Sequence, residues 1–244
     1  MYSLFKKEVN GFFSGLSGYV VVLVFLAAMG LLLWVLPGTD FNIIENGYAT
    51  MDGLFIVSPW LFLFLIPAIT MRMFAEENKS GTIELLMTSP LTDFQVVFAK
   101  YLAGVVLVVI ALVPTIIYYL SISRFASPAG NVDSAGILGS YIGLLFLCSG
   151  FVAMGNFASS ISSNQIISFI LSLLLCFFFY SGFDFIGSIG LPNFISNIIA
   201  QIGISNHYAS LSRGVIDTRD VVYFFSLTAF FLLLTKFILE KRKW

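Results

Sequence analysis

Apolar runs of about twenty residues, nearly without charge, recur along this chain at about 18–36, 54–71, 96–122, 136–157, 166–183 and 221–239. No other feature constrains the fold as strongly. A helix rises about 1.5 Å per residue and the hydrocarbon layer is about 30 Å thick, so each run can cross a bilayer once. In lipid each backbone N–H and C=O needs a partner inside the protein, and a helix supplies one within its own segment. Runs this long are not buried strands. The sequence therefore predicts an all-α polytopic membrane protein with about six transmembrane helices. Charged residues are 10% of the 244, against about 25% in a soluble domain. The crossings leave too little chain for a second domain, so residues 1–244 read as one transmembrane domain.

Proline and glycine punctuate the runs. Pro37-Gly38 stops the first, Pro59 and Pro67 lie within the second, and Pro114 predicts a kink in the third. The first run exceeds the roughly 7–15 residues of a signal-peptide core and lacks a small-residue cleavage site, so an uncleaved helix is expected. Ahead of it, Tyr2, Phe5, Val9, Phe12, Phe13 and Leu16 recur at steps of three and four, with Lys6, Lys7, Asn10, Ser14 and Ser17 between them. That spacing predicts an amphipathic helix over residues 1–17, lying in the membrane interface. Residues 184–220 hold apolar stretches too short to span, punctuated by Pro192 and Gly203, and read as re-entrant or interfacial helices on the outer side.

Lys and Arg set the orientation. With the N-terminus inside, Lys6, Lys7, Arg72, Lys79, Lys100, Lys236, Lys241, Arg242 and Lys243 fall on the cytoplasmic side, and only Arg124, Arg213 and Arg219 fall outside. An even number of crossings then brings both basic termini into the cytoplasm, as expected of a multi-pass protein of the cell inner membrane. Gly139 and Gly143 form a G-x-x-x-G pair, read as a close-packing face within the subunit rather than a dimer face.

Motifs of chemistry are missing. The chain has no P-loop, no H-E-x-x-H and no G-x-S-x-G elbow, and Ser159–Ser163 read as a short cytoplasmic turn without a base. The one histidine, His207, reads as a surface or packing residue, and Cys148 and Cys176 as small hydrophobes. A net charge of −1 gives no reason to expect nucleic acid. The spanning runs are nearly free of charge, with Asp184 the exception at the outer end of the fifth, where it reaches water. An ion-driven carrier and an intramembrane enzyme are both disfavoured, and no catalytic, metal or cofactor residues are expected. What remains is a membrane part whose energy or purpose comes from a partner.

The richest polar stretch is 72–95. Gly81 breaks what precedes it, a short helix fits about residues 82–87, and Pro90 ends that helix. Thr92 and Gln95 then form a T-x-x-Q capping box that opens the third span, with Asp93 in its first turn. The pattern R-x-x-x-E-E-x-x-x-G-T-x-E-L-L-x-T-S-P, residues 72–90, resembles the cytoplasmic segment of type-two ABC exporter permeases. Leu211-Ser212-Arg213-Gly214-Val215-Ile216-Asp217 before the last span is also similar to that family, and the chain as a whole resembles its gliding-motility permeases of Bacteroidetes. The resemblance covers essentially the whole chain. It implies a coupling helix over residues 76–86 that docks on a separate ABC ATPase subunit, with Glu76, Glu77, Gly81, Thr82, Glu84, Leu85 and Leu86 forming or shaping the contact. It also implies a pair of permeases, with a second permease or a larger permease-like subunit bearing an extracytoplasmic region, and ATP bound by the partner alone. The same features fit an alternative, a non-transporting structural or regulatory subunit of an envelope machine.

Overall fold

The computed structural model describes residues 1–39, 41–87, 91–128, 130–188 and 192–241, with Asn46, Leu85, Leu86, Met87, Asn193 and Ile195 described by backbone only. Among the described residues there is no strand, and six helices are long and apolar enough to cross a membrane. The chain is an all-α polytopic membrane protein.

Helix α1 (Tyr2–Ser14) precedes the first span, α2 (Leu16–Gly30), which ends in a π turn, Leu31–Val35. A short α3 (Ile43–Asn46) leads to the second span, α4 (Asp52–Thr70). Two six-residue helices follow, α5 (Ala75–Ser80) and α6 (Thr82–Met87). The third span is α7 (Asp93–Leu112), a 3-10 turn around Pro114, and α8 (Ile116–Phe125); the break falls at the proline, which lacks an N–H for the helix. The fourth and fifth spans are α9 (Ser134–Ile161) and α10 (Gln165–Phe177), the latter extended by a π turn, Phe178–Gly182. Then come α11 (Phe183–Gly187), α12 (Asn193–Ala200) and α13 (Ile204–Leu211), with Pro192 and Gly203 as N-caps of the last two, and finally α14 (Thr218–Lys241).

Helix α9 is the hub, packed against α4, α7, α10 and α14. Its contacts with α14 step from Phe146–Phe224 to Phe157–Phe231, so the two spans run the same way. The N-terminal helix and the C-terminal end of α14 therefore lie at one end of the bundle, here the α1 end. Gly139 and Gly143 face the chain around residues 211–214: a Cβ on Gly139 would stand 2.5 Å from the Gly214 carbonyl oxygen, and one on Gly143 2.7 Å from Leu211 Cβ. The G-x-x-x-G pair seats the segment that follows α13.

Proline also shapes the opposite end. Pro59 leaves the carbonyl of Phe55, four residues earlier, without its helical donor. Tyr208 of α13 fills the gap, its hydroxyl donating to Phe55 O at 2.8 Å. An orphaned carbonyl inside a membrane protein must find another donor, and this one fixes α13 against α4.

Helix α1 packs along α7, with Leu4 buried and Phe5, Val9, Phe12 and Phe13 against the core. One expectation needs correction. Ser159–Ser163 are not all turn, because α9 runs on to Ile161 and Ser159 and Ser160 are buried. A buried serine hydroxyl needs a hydrogen-bond partner, and both donate to backbone carbonyls.

Candidate functional site

The segment joining α4 to α7 is built as two short helices at a corner. Gly81 has φ +72°, the left-handed conformation that closes α5 and that a Cβ would disfavour. Helix α7 opens with the complete capping box: Thr92 Oγ1 accepts from Gln95 N at 3.3 Å, and Gln95 Oε1 accepts from Thr92 N at 3.1 Å.

Helix α5 is too short to hold itself together. Its own N-cap, Phe74, gives no side-chain bond. The cap comes from another span. Ser159 Oγ of α9 accepts from the N–H groups of Phe74 at 3.0 Å and Ala75 at 3.1 Å, and donates to Met71 O at 3.1 Å. Asn78, on the same side of α5, donates to Ser162 O at 3.2 Å, just beyond the end of α9.

The opposite side of α5 faces a buried cation. Lys100, in the second turn of α7, has no exposed surface. Its Nζ donates to Glu8 Oε1 of α1 at 2.7 Å and to Met73 O, and lies 5.0 Å from the centre of the Phe74 ring. Glu77 Oε2 of α5 stands 2.9 Å from the same nitrogen, an ion pair off the hydrogen-bond axis. Lys7 of α1 donates to the other Glu77 oxygen at 3.2 Å. Two ammonium groups thus meet two carboxylates. A buried charge is tolerated only when it is paired and hydrogen-bonded, and Lys100 is both. The cluster ties α1, α5 and α7 together. Beside it a cleft of about 510 Å³ opens between α1 and α5, lined among others by Lys7, Glu8, Arg72, Glu76 and Thr82.

The residues expected to contact an ATPase divide by direction. Glu77 points inward, into the ion cluster. Glu76, Gly81, Thr82 and Glu84 are exposed, while Ile83 between the last two is buried. Leu85 and Leu86 lie on the backbone of α6, their side chains outside the described residues, and Pro90, expected to end α6, is outside them as well.

Sequence reasoning missed Lys100, Glu8 and Ser159. The expectation of nearly uncharged spans, with Asp184 alone as the exception, is corrected here, because Lys100 is a fully buried cation within the third run. The signal was present: one lysine between Val96-Val97-Phe98-Ala99 and Tyr101-Leu102 has no nearby partner in sequence and must find one elsewhere. Glu8, on the face of α1 otherwise filled by Leu4 and Phe12, was the candidate. Asp184 is exposed and accepts a hydrogen bond from Ser205.

Six spans around a small-residue hub, with a short two-helix segment pinned to three other helices at one end, define a polytopic α-helical membrane protein. No curated protein matches the chain. The family model described as "ABC-2 family transporter protein" matches residues 39–239, from the chain ahead of α3 almost to the end of α14. The chain belongs to the ABC-2 transporter family. It is a membrane permease subunit of an ABC transporter, whose ATPase is a partner subunit.

Proposed function

We propose that α5 and α6 are the coupling element of this permease, and that their exposed residues Glu76, Gly81, Thr82 and Glu84, with Leu85 and Leu86, meet a groove on the ATPase subunit. The observation that carries this reading is the anchoring of α5. A six-residue helix is held at once by Ser159 of α9, Lys100 of α7 and Lys7 of α1. A displacement of α6 passes through the Gly81 corner to α5 and then to three helices together. Glu77 is the inward relay in that path rather than a contact with the ATPase.

Positive-inside asymmetry supports placing the α1 end in the cytoplasm, with both termini there and the chain in the inner membrane. Spans α2 and α10 are only 22% buried over their apolar windows, against 67% for α4, which supports pairing with a second permease or a larger permease-like subunit through those faces. The chain's resemblance to gliding-motility permeases supports work on, or transport through, the envelope in that setting.

Glu84→Lys tests the coupling role. The side chain is exposed on α6, so the spans should fold normally. Stimulation of the ATPase by the permease is expected to be lost. Normal stimulation in a folded variant would remove α6 from the contact.

A further inference from the structure

The cleft of about 510 Å³ between α1 and α5 lies where one span begins and another ends: Gly15 immediately precedes α2, Arg72 closely follows α4, and both line it. Its two sides differ in chemistry. Phe12, Ile69 and Leu107 give it an apolar side, and Lys7, Arg72 and Glu76 a charged one. A cleft at the ends of the spans, apolar on one side and charged on the other, has the same division as a phospholipid, whose charged head sits at the membrane boundary above its acyl chains.

The charges that line the cleft are not equivalent. Glu8 and Glu77 are met by Lys100 and Lys7 in the ion cluster. Arg72 and Glu76 remain. Both are exposed, they stand four residues apart, and among the described residues neither has an ion-pair partner, not even the other. Arg72 Nη1 donates to Ser17 Oγ at 2.9 Å, and the guanidinium carries further donors. The cleft thus offers a cation to a phosphate and a carboxylate to an ammonium group. Gly11 is an independent sign of an occupant. It lies inside α1, where glycine is the least favourable residue after proline, and it lines the cleft. A Cβ there would meet nothing within 4 Å. No turn and no close contact among the described residues calls for a glycine at this position; what it does is hold the α1 wall of the cleft open.

We propose that this cleft binds a phosphatidylethanolamine molecule, its phosphate on Arg72, its ammonium group on Glu76 and its glycerol end against Phe12, Ile69 and Leu107. That head group carries the two charges complementary to the two that the chain leaves unpaired. Phosphatidylglycerol has the phosphate without the ammonium, and the quaternary nitrogen of phosphatidylcholine has no N–H to give to Glu76. The bound lipid bridges α1 and α5 by a contact separate from the Lys100 cluster. A rival occupant is a side chain of the ATPase subunit; the apolar side of the cleft, which leads to the spans, favours the lipid.

Native mass spectrometry of the full-length protein in detergent, with equimolar dioleoyl phosphatidylethanolamine, phosphatidylglycerol and phosphatidylcholine, counts the lipids retained. No ATPase subunit is present, so the outcome is separate from that of the coupling test. The wild type should retain phosphatidylethanolamine over each of the others by about tenfold. Glu76→Gln should erase that preference, and Arg72→Gln should lower retention of all three. Gly11→Leu, whose side chain enters the cleft where the chain itself has no atoms near, should also erase the preference. Glycerophosphoethanolamine, the same head without acyl chains, should not displace the lipid at equal concentration; displacement would assign the site to a soluble ligand and overturn the proposal. Equal retention of the three lipids by the wild type, or a preference that survives Glu76→Gln, overturns it as well. So does retention of none, which would leave the cleft to the ATPase subunit. The wild-type comparison decides the matter even if a variant does not fold.

Discussion

Lys100→Met is the most informative single change in this molecule. Methionine keeps the length and apolar stem of the side chain and deletes the ammonium group. Glu8 and Glu77, with oxygens at 2.7 and 2.9 Å from that group, then face a site with no counter-ion. Glu77 retains Lys7 at 3.2 Å, but Lys7 is 65% exposed and such a pair contributes about 0–1 kcal/mol. Among the described residues Glu8 has no other ion-pair partner once Lys100 is gone, and it is 16% exposed. Removing one partner of a buried ion pair typically costs about 3–5 kcal/mol, because the other is left charged in a poor solvent. Lys100→Met should therefore destabilise the protein by about that amount and Lys7→Ala by under about 1 kcal/mol. Adding Glu77→Gln to Lys100→Met should cost less than the sum of the two single changes, by about 0.5–3 kcal/mol. Unfolding in mixed lipid–detergent micelles measures all four, and ATPase stimulation in the same preparations shows whether coupling follows. If Lys100→Met is no more harmful than Lys7→Ala, the cluster is not what binds α1 and α5 to α7.

Ser159→Ala leaves the N–H groups of Phe74 and Ala75 without a partner and should cost about 1–3 kcal/mol, with faster amide exchange in α5 read by mass spectrometry. Tyr208→Phe removes the donor to the Phe55 carbonyl that Pro59 orphans; a loss of about 0.5–1.5 kcal/mol is expected in the same unfolding assay, and no loss would mean that the carbonyl has another partner. A cysteine at Lys79, exposed on α5, should react with an impermeant maleimide only from the cytoplasmic side, and the native Cys148 and Cys176, both buried, should give no background.

How far the sequence can be read depends on where the determining partner lies. The spans follow from local hydropathy, so their number and type were legible. The Gly81 corner and the Thr92–Gln95 capping box were legible for the same reason, since both are settled within four residues. The anchoring of α5 was not. Ser159 acts on Phe74 across 85 positions and Lys100 on Glu8 across 92. A serine near a helix end and a lysine near a membrane boundary each have an ordinary local reading, and only the packing of α1, α7 and α9 around one short helix supplies the other. A periodic apolar pattern likewise shows that α1 has a buried side, but not that α7 is its partner. His207 was read as a surface or packing residue; its Nδ1 lies 2.8 Å from Asp220 Oδ1 of α14, a pairing that no periodicity marks.

The central claim is that this permease receives work from an ATPase through α5 and α6. The most direct test is purification of the tagged protein in mild detergent, with identification of co-purifying proteins and an ATPase assay, for the wild type and for variants altered in residues 76–86. The account predicts recovery of a P-loop ATPase with the wild type, and its loss when the exposed residues of that segment are changed. An ATPase that binds and is stimulated equally by the altered segment would contradict it.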